Sequence, residues 1–325
     1  MAGKQAGMSE FPPAIDKPFS LIAFDWDGTA VPNRQADAEA VTRLITELLT
    51  IPVTICIITG TNAPNIQKQI NPHLVLPNNA PLYLLTNRGS EVYSVSSEGH
   101  WQVEDIREAT PMENRQLDEA AQRLVTMLEA ATEHQLPFEI IYNRMNRRKI
   151  DLIPTEEWAD PPKAQIEQLL IATETRLVQA GLAGGIARAV EMAQQASVEA
   201  GLADAKLTSD VKHIEIGLTD KADSARWIMH HLAYPQRMTP DEIAFGGDEF
   251  GPIGGFTGSD SLMLTPETAG CVFFSVGPEP HGVPDGVIHL GGGPTKFRRV
   301  LSRQLALQQA TNPTQPALSR RRTTR

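Results

Sequence analysis

The chain has 325 residues, of which 41% are hydrophobic and 21% charged, and its formal net charge is -10. A chain of that length and composition can bury a large core, and the length favours two domains over one. The acidic balance repels phosphate backbones and anionic membrane surfaces, and no apolar run reaches membrane-spanning length, so neither nucleic acid nor a membrane is expected as a partner.

Residues 1–18 are rich in Gly, Pro and polar side chains and lack the apolar centre of a signal peptide, so they read as a disordered tail of a cytoplasmic protein. Leu21-Ile22-Ala23-Phe24 then forms a buried strand that runs into Asp25-Trp26-Asp27-Gly28-Thr29. Two carboxylates at the mouth of a buried strand occupy the place where open α/β sheets bind their ligands. Asp25 and Asp27, two residues apart in an extended segment, face a common space while Trp26 turns into the fold. Carboxylates that close call for a cation or a shared proton between them. Val41, Leu44, Ile45, Leu48 and Leu49 recur at helical spacing, and the β-branched run 53–58 closes a βαβ unit with a parallel sheet. That run ends in Thr59-Gly60-Thr61, a hydroxyl and a flexible glycine able to hold a phosphoryl oxygen.

Further along, the pattern changes. Segments 82–85, 91–95, 138–142 and 149–153 are short strand candidates, some of alternating polarity, separated by long helical stretches near 114–134 and 161–203. They imply an α+β domain of residues 82–212 inserted into a core of 19–81 and 213–309, with the active site in the cleft between them. Arg144, Arg147, Arg148 and Lys149 crowd one segment of this insertion. They either grip a second anionic group or sugar hydroxyls, or form a solvated hairpin turn. As an extended strand the segment would put Arg144 and Arg148 on one face and Arg147 and Lys149 on the other. Lys212 and His213 read as linker residues.

The strand grammar returns at 242–245, which leads into Gly246-Gly247-Asp248-Glu249, and again at 271–276 and 287–290. Before it, Lys221 opens a helix, where it is either solvated or balances negative charge at the site. Asp248 could complete an oxygen-rich magnesium site with Asp25. Gly291-Gly292-Gly293 reads as a strand-to-helix turn, and residues 310–325, with Arg320-Arg321-Arg322, as a disordered basic tail. Cys56 and Cys271 lie in apolar runs and read as buried thiols of a reducing compartment.

Taken in order, these residues resemble the haloacid dehalogenase superfamily of phosphatases and phosphotransferases. Phe24 to Thr29 is similar to its first motif, Thr59-Gly60 to its second, Lys221 to its third, and Gly247-Asp248 with Asp260 to its fourth. The resemblance implies an α/β fold, a Rossmann-like parallel-sheet core carrying an inserted cap, in this case the large α/β cap of the sugar-phosphatase, trehalose-phosphatase and phosphomannomutase subgroup. It implies a magnesium-dependent phosphatase acting on a small phosphorylated molecule such as a sugar phosphate, through an aspartyl-phosphate. Asp25, Asp27, Thr59 and Lys221 would be catalytic; Asp25, Asp248, Asp260 and the backbone carbonyl of Asp27 would hold Mg2+; and Gly60, Asn87, Arg144 and Arg148 would bind substrate. The fourth-motif acids stand farther apart here than the superfamily pattern, which leaves Glu249 as an alternative to Asp260. A phosphomannomutase-like mutase and a catalytically silent module of the same fold are the rival expectations, and the sequence fixes no oligomeric state.

Overall fold

The computed structural model describes residues 10–77, 80–96, 98–159 and 165–311. Strand β1 (Leu21–Asp25) is wholly buried and is followed by helix α1 (Glu39–Leu48), β2 (Thr54–Ile58), α2 (Ala63–Ile70), β3 (Leu82–Thr86), β4 (Glu91–Val95) and β5 (Trp101–Ile106). The chain then leaves for a second layer made of α3 (Pro111–Ala131), β6 (Glu139–Arg144), β7 (Arg147–Asp151), α4 (Ile166–Gln179), α5 (Gly185–Glu199), β8 (Lys206–Ser209) and β9 (His213–Gly217). It returns through α6 (Lys221–Ile228), β10 (Ile243–Gly247), β11 (Val272–Ser275), β12 (Val287–His289) and α7 (Gly293–Thr311).

Two sheets result. The larger has eight strands in the order β12-β11-β10-β1-β2-β3-β4-β5. The pairs from β12 through β3 are parallel, and β4 and β5 join antiparallel at one edge. Apolar side chains fill both of its faces: Ile22, Phe24, Ile55 and Ile57 on one, Leu21, Ala23, Cys56 and Ile58 on the other. This burial on both sides explains why the strands read as near-continuous apolar runs. The smaller sheet, β6-β7-β9-β8, is antiparallel and has a separate core in which Ile150, Ile214 and Ile216 meet Leu117, Leu124 and Ala193 of α3 and α5.

The insertion is therefore shorter than the range 82–212 read from sequence. Strands β3, β4 and β5 belong to the large sheet, because β3 finds a parallel partner in β2 and its neighbours follow as hairpins. At the other end β9, including His213, belongs to the small sheet. Lys212 is buried and ion-paired with Asp151 at 2.7 Å, so it is a structural residue rather than a linker. The helical stretch 161–203 is two helices, divided where Gly181, Gly184 and Gly185 adopt positive φ, and its residues 161–164 lie outside those described.

The N-terminal tail expectation also changes. Phe11 and Ile15 are buried in the core cluster, while Gln304 of α7 donates to the carbonyls of Ile15 and Lys17 at 2.9 and 3.0 Å. Apolar side chains at 11 and 15, one helical turn apart in spacing, were the overlooked signal. Residues 1–9 and 312–325, including the Arg320–Arg322 run, lie outside the described residues. Helix α7 begins at Gly293, as the strand-to-helix reading of the triple glycine expects. Neither cysteine is paired: Cys56 is buried and Cys271 half-buried, where burial pushes its thiol up to about 12. Among the described residues no helix is long and apolar enough to cross a membrane.

One loop joins the two layers beyond the chain crossings. Between β10 and Asp260, Ile253 and Phe256 exchange backbone hydrogen bonds of 2.9 and 3.0 Å around Gly254 and Gly255, both at positive φ. Ile253 and Phe256 pack against the apolar cluster of the small domain. A Cβ on Gly254 would come within 2.8 Å of Val211 and 2.9 Å of Leu170, so the turn is pressed against that domain. The base of the loop is held by Glu279, whose carboxylate accepts from the Phe250 and Gly251 amides at 2.9 and 2.7 Å.

Candidate active site

The first carboxylate sits where β1 ends. Asp25 is 6% exposed, and the chain turns sharply after it, with Gly28 at φ 93 and the amides of Ala30 and Val31 donating to the Trp26 carbonyl. Trp26 is fully buried and its Nε1 donates to Gln69 at 2.9 Å; Asp27 faces the cavity beside Asp25. The buried Thr29 hydroxyl links two acids, lying 3.0 Å from Asp248 Oδ1 and 3.4 Å from Asp25 Oδ2.

Lys221 reaches the same point from the first turn of α6. Its Nζ lies 2.7 Å from Asp25 Oδ1 and 2.6 Å from Asp260 Oδ1, and the residue is 4% exposed. Burial alone would lower its pKa, but the Asp25 and Asp260 charges raise it above the ordinary lysine value, so the ammonium is retained. Asp260 is wholly buried, and its other oxygen accepts from the amides of Asp248 and Glu249 at 2.9 and 2.8 Å. Gly247 makes this possible: a Cβ there would fall 2.4 Å from the Asp260 carboxyl carbon. One oxygen each from Asp25, Asp248 and Asp260 lie within 4.8 Å of one another. An all-oxygen set of buried carboxylates suits a hard divalent cation. Asp260 is held at one oxygen by Lys221 and at the other by two backbone amides, and Asp25 is held by Lys221 and Thr29.

The β2 end closes the other side. Thr59 is buried, its hydroxyl accepts from the Thr61 amide at 3.2 Å, and its carbonyl accepts from the Arg88 amide at 3.2 Å. Above these residues lies a cavity of about 220 Å³ whose wall includes Asp25, Asp27, Thr59, Gly60, Lys221 and Glu249 from the large-sheet domain. From the small sheet come Arg144, Arg147, Lys149 and Glu215.

Strand register explains which basic residues point inward. Met145 and Asn146, the latter at φ 57, form the turn between β6 and β7, so Arg144 stands opposite Arg147. Lys149 stands opposite Glu215 on β9. Residues directly opposite in an antiparallel pair share a face, which puts Arg144, Arg147, Lys149 and Glu215 together over the cleft. Arg148 is on the reverse face, 2.6 Å from Asp118 and 3.3 Å from Asn114 of α3. The expected pairing of Arg144 with Arg148 is thus wrong: it assumed one continuous strand, and the turn at 145–146 reverses the chain between them.

Glu215 is the hub of this wall. It is 6% exposed and forms ion pairs with Arg88 (3.0 Å), Lys149 (3.0 Å) and Arg147 (3.5 Å). Burial would raise its pKa, but the charges of Arg88, Lys149 and Arg147 outweigh that and bring it down to about 2. Arg147 also donates to the Gly60 carbonyl at 2.7 Å, tying the small sheet to the loop after β2.

No protein-family model matches this sequence, and no curated protein does. Among solved structures, the chain is similar to an IMP-bound, N-terminally truncated IMP-nucleotidase from Plasmodium falciparum, with TM-score 0.56 and 12% identity over 89% of this chain and 69% of that one. It is similar also to the C-terminal domain of a trehalose-6-phosphate phosphatase from C. albicans, with TM-score 0.53 and 14% identity over 88% of this chain and 92% of that one. The chain shares the fold of these two phosphatase structures. Within this fold the small domain contributes one wall of the cavity, and Asp25, Asp27, Thr59, Lys221, Asp248 and Asp260 gather at its floor although the sequence separates the outermost by more than 200 positions.

Two other sequence-derived positions fall elsewhere. Asn87 is buried and donates to Glu91 at 2.6 Å, outside the cavity wall. Its neighbour Arg88 enters the cavity in its place, because both residues adopt positive φ and Gly89 packs tightly on the start of α6, where a Cβ would fall 2.8 Å from the Asp220 carbonyl. Glu249 lines the cavity and accepts from Ser259 at 2.9 Å, whereas Asp260 contacts Lys221. Arg34, Arg88 and Glu215 also line the cavity and were not singled out from sequence. Alternation in His213-Ile214-Glu215-Ile216 is the signal that would have found Glu215.

Proposed function

We propose that the protein is a magnesium-dependent phosphatase that hydrolyses a small phosphomonoester, a sugar phosphate or a molecule of similar polarity, by way of an aspartyl-phosphate on Asp25. The observation that carries this reading is the buried Asp25–Lys221–Asp260 arrangement, with Asp248 within ligand distance, at the floor of a charged cavity. Asp25 is an anion and so is its target, so attack requires that positive charge be gathered around the phosphoryl group. Lys221 supplies one such charge and is kept protonated by its two carboxylate partners. Magnesium held by Asp25, Asp248 and the backbone at Asp27, with Asp260 behind them, would supply Lewis acidity toward the phosphoryl oxygens.

Asp25 attacks phosphorus, the bond to the leaving oxygen breaks, and Asp27 gives that oxygen a proton. Asp27 then takes a proton from the water that attacks the aspartyl-phosphate, which frees inorganic phosphate and restores Asp25. The Thr59 hydroxyl and the amides of the following loop hold a phosphoryl oxygen in line. Asp260 orients Lys221 and the Asp248 turn. The neighbours in structure act on, or are solved with, a nucleotide and a sugar phosphate respectively. Among the described residues the cavity wall contains no aromatic side chain on which a purine could stack, and its charged lining favours a polar, oxygen-rich leaving group.

A panel of phosphorylated sugars, polyols, hydroxy acids and nucleoside monophosphates, assayed with magnesium and analysed for products, tests the assignment. Free phosphate from a member of the first three classes is expected. Isomerised sugar phosphate without phosphate release would establish a mutase instead, and exclusive turnover of nucleotides would overturn the leaving-group assignment.

A further inference from the structure

The cap presents more positive charge to the cavity than its own ion pairs consume. Arg144, Arg147 and Lys149 share the inward sheet face and Arg88 joins them, while Glu215 and Asp210 are the acids of this wall. Asp210 pairs with Lys149 at 3.6 Å and is also held by His213 at 3.0 Å, so two carboxylates face the four cations Arg88, Arg144, Arg147 and Lys149. The Arg144 side chain has no hydrogen bond or ion pair among the described residues. Burial, with Arg88 and Arg144 adding to it, pulls the Arg147 pKa down to about 10 in spite of Glu215.

Orphaned donors mark where the missing negative charge belongs. Arg147 Nε and Arg88 Nη1 are buried and have no acceptor among the described residues. Arg147 is 4% exposed. A buried guanidinium N–H without an acceptor is costly, and two of them beside an unpaired arginine, in the wall of a cavity, fit a carboxylate or phosphate accepting several charge-assisted hydrogen bonds. A sugar hydroxyl could accept from one of these donors but would leave the excess charge uncompensated.

We propose that Arg88, Arg144, Arg147 and Lys149 form a second anion subsite, so that the substrate is a phosphomonoester whose leaving group itself bears an oxyanion. This rests on the phosphatase reading of the Asp25 site. The leaving group departs with its second anion intact, and no bond to that anion is made or broken.

Matched probes test it: hexose 1,6-bisphosphate against hexose 6-phosphate, and 3-phosphoglycerate against glycerol 3-phosphate. The expected result is a kcat/KM at least about 10-fold higher for the doubly anionic member of one pair, in line with one or two charge-assisted hydrogen bonds. The first pair reports a phosphate in the subsite and the second a carboxylate. Arg144→Ala should bring the ratio toward one by raising KM for the doubly anionic member, and Arg144→Lys should keep part of the preference. Calorimetric binding of the same four probes reads the subsite without turnover. Preferential binding of a doubly anionic probe, lost in Arg144→Ala, with no hydrolysis of any phosphomonoester, would refute the phosphatase reading and uphold the subsite. Hydrolysis with equal or better use of the singly anionic members of both pairs would overturn the subsite and leave the phosphatase reading standing.

Discussion

Replacing Glu215 by Gln removes one charge from the hub of the cap wall without touching Asp25, Lys221 or Asp248. The folded protein holds the Glu215 carboxyl near 2 against an ordinary 4.5, because Arg88, Lys149 and Arg147 overcome the cost of burying it. A depression of that size corresponds to about 3 kcal/mol of stability. The sign follows from the direction: the contribution is fully present above pH 4.5 and disappears as pH falls toward 2. In the Gln variant the three cations are left facing one another, and breaking a buried pair from one side typically costs about 3–5 kcal/mol. Urea unfolding of wild type and variant, each at pH 7 and near pH 3, measures the effect. The variant should be less stable by about 3 kcal/mol at pH 7, and the gap should narrow at the lower pH. A gap below about 1 kcal/mol at pH 7, or one of equal size at both pH values, would refute the account of Glu215 as the charge that holds the wall together.

Asp25→Asn should reduce hydrolysis to background while the fold survives; substantial turnover, with contaminating phosphatases controlled for, would rule out the covalent route. Chelation should abolish activity and magnesium restore it, and Asp248→Ala should raise the magnesium concentration required; full activity in excess chelator would remove the metal from the scheme. Asp260→Asn should lower stability by about 3–5 kcal/mol and activity as well, since a buried carboxylate that holds Lys221 and two backbone amides is lost; wild-type stability in that variant would show that Asp260 is not the residue holding Lys221.

The core was legible because its strands are buried on both faces, and such strands write long apolar runs that end in their functional residues: Phe24 into Asp25, Ile58 into Thr59, Gly247 into Asp248. The cap was less so. Strands β4 and β5 mix apolar and polar residues as an antiparallel sheet does, and periodicity alone does not say which sheet a strand joins. Arg148 was assigned to substrate because spacing was counted through a turn; reading Met145-Asn146 as a two-residue hairpin loop would have exchanged it for Arg147. Glu215 and Arg88 matter through partners far away in sequence, such as the 127-residue separation of their own ion pair, and no local pattern reports such a contact.

The wide interval between Asp248 and Asp260 has a mechanical meaning. Its turn at Ile253–Phe256 packs, half-buried, against the apolar cluster of the small domain, while its two ends are Asp248, one oxygen of which lies within 4.8 Å of oxygens of Asp25 and Asp260, and Asp260, the ion partner of Lys221. The loop is thus a tether whose length is set by the span from the strand end to the cap. Any separation of the two layers would either strip Ile253 and Phe256 from their apolar contacts or draw on the segment between the two acids. Such a separation would pull on the segment that ends at Asp260, the partner of Lys221, and shortening the interval would cut this tether rather than merely trim a loop.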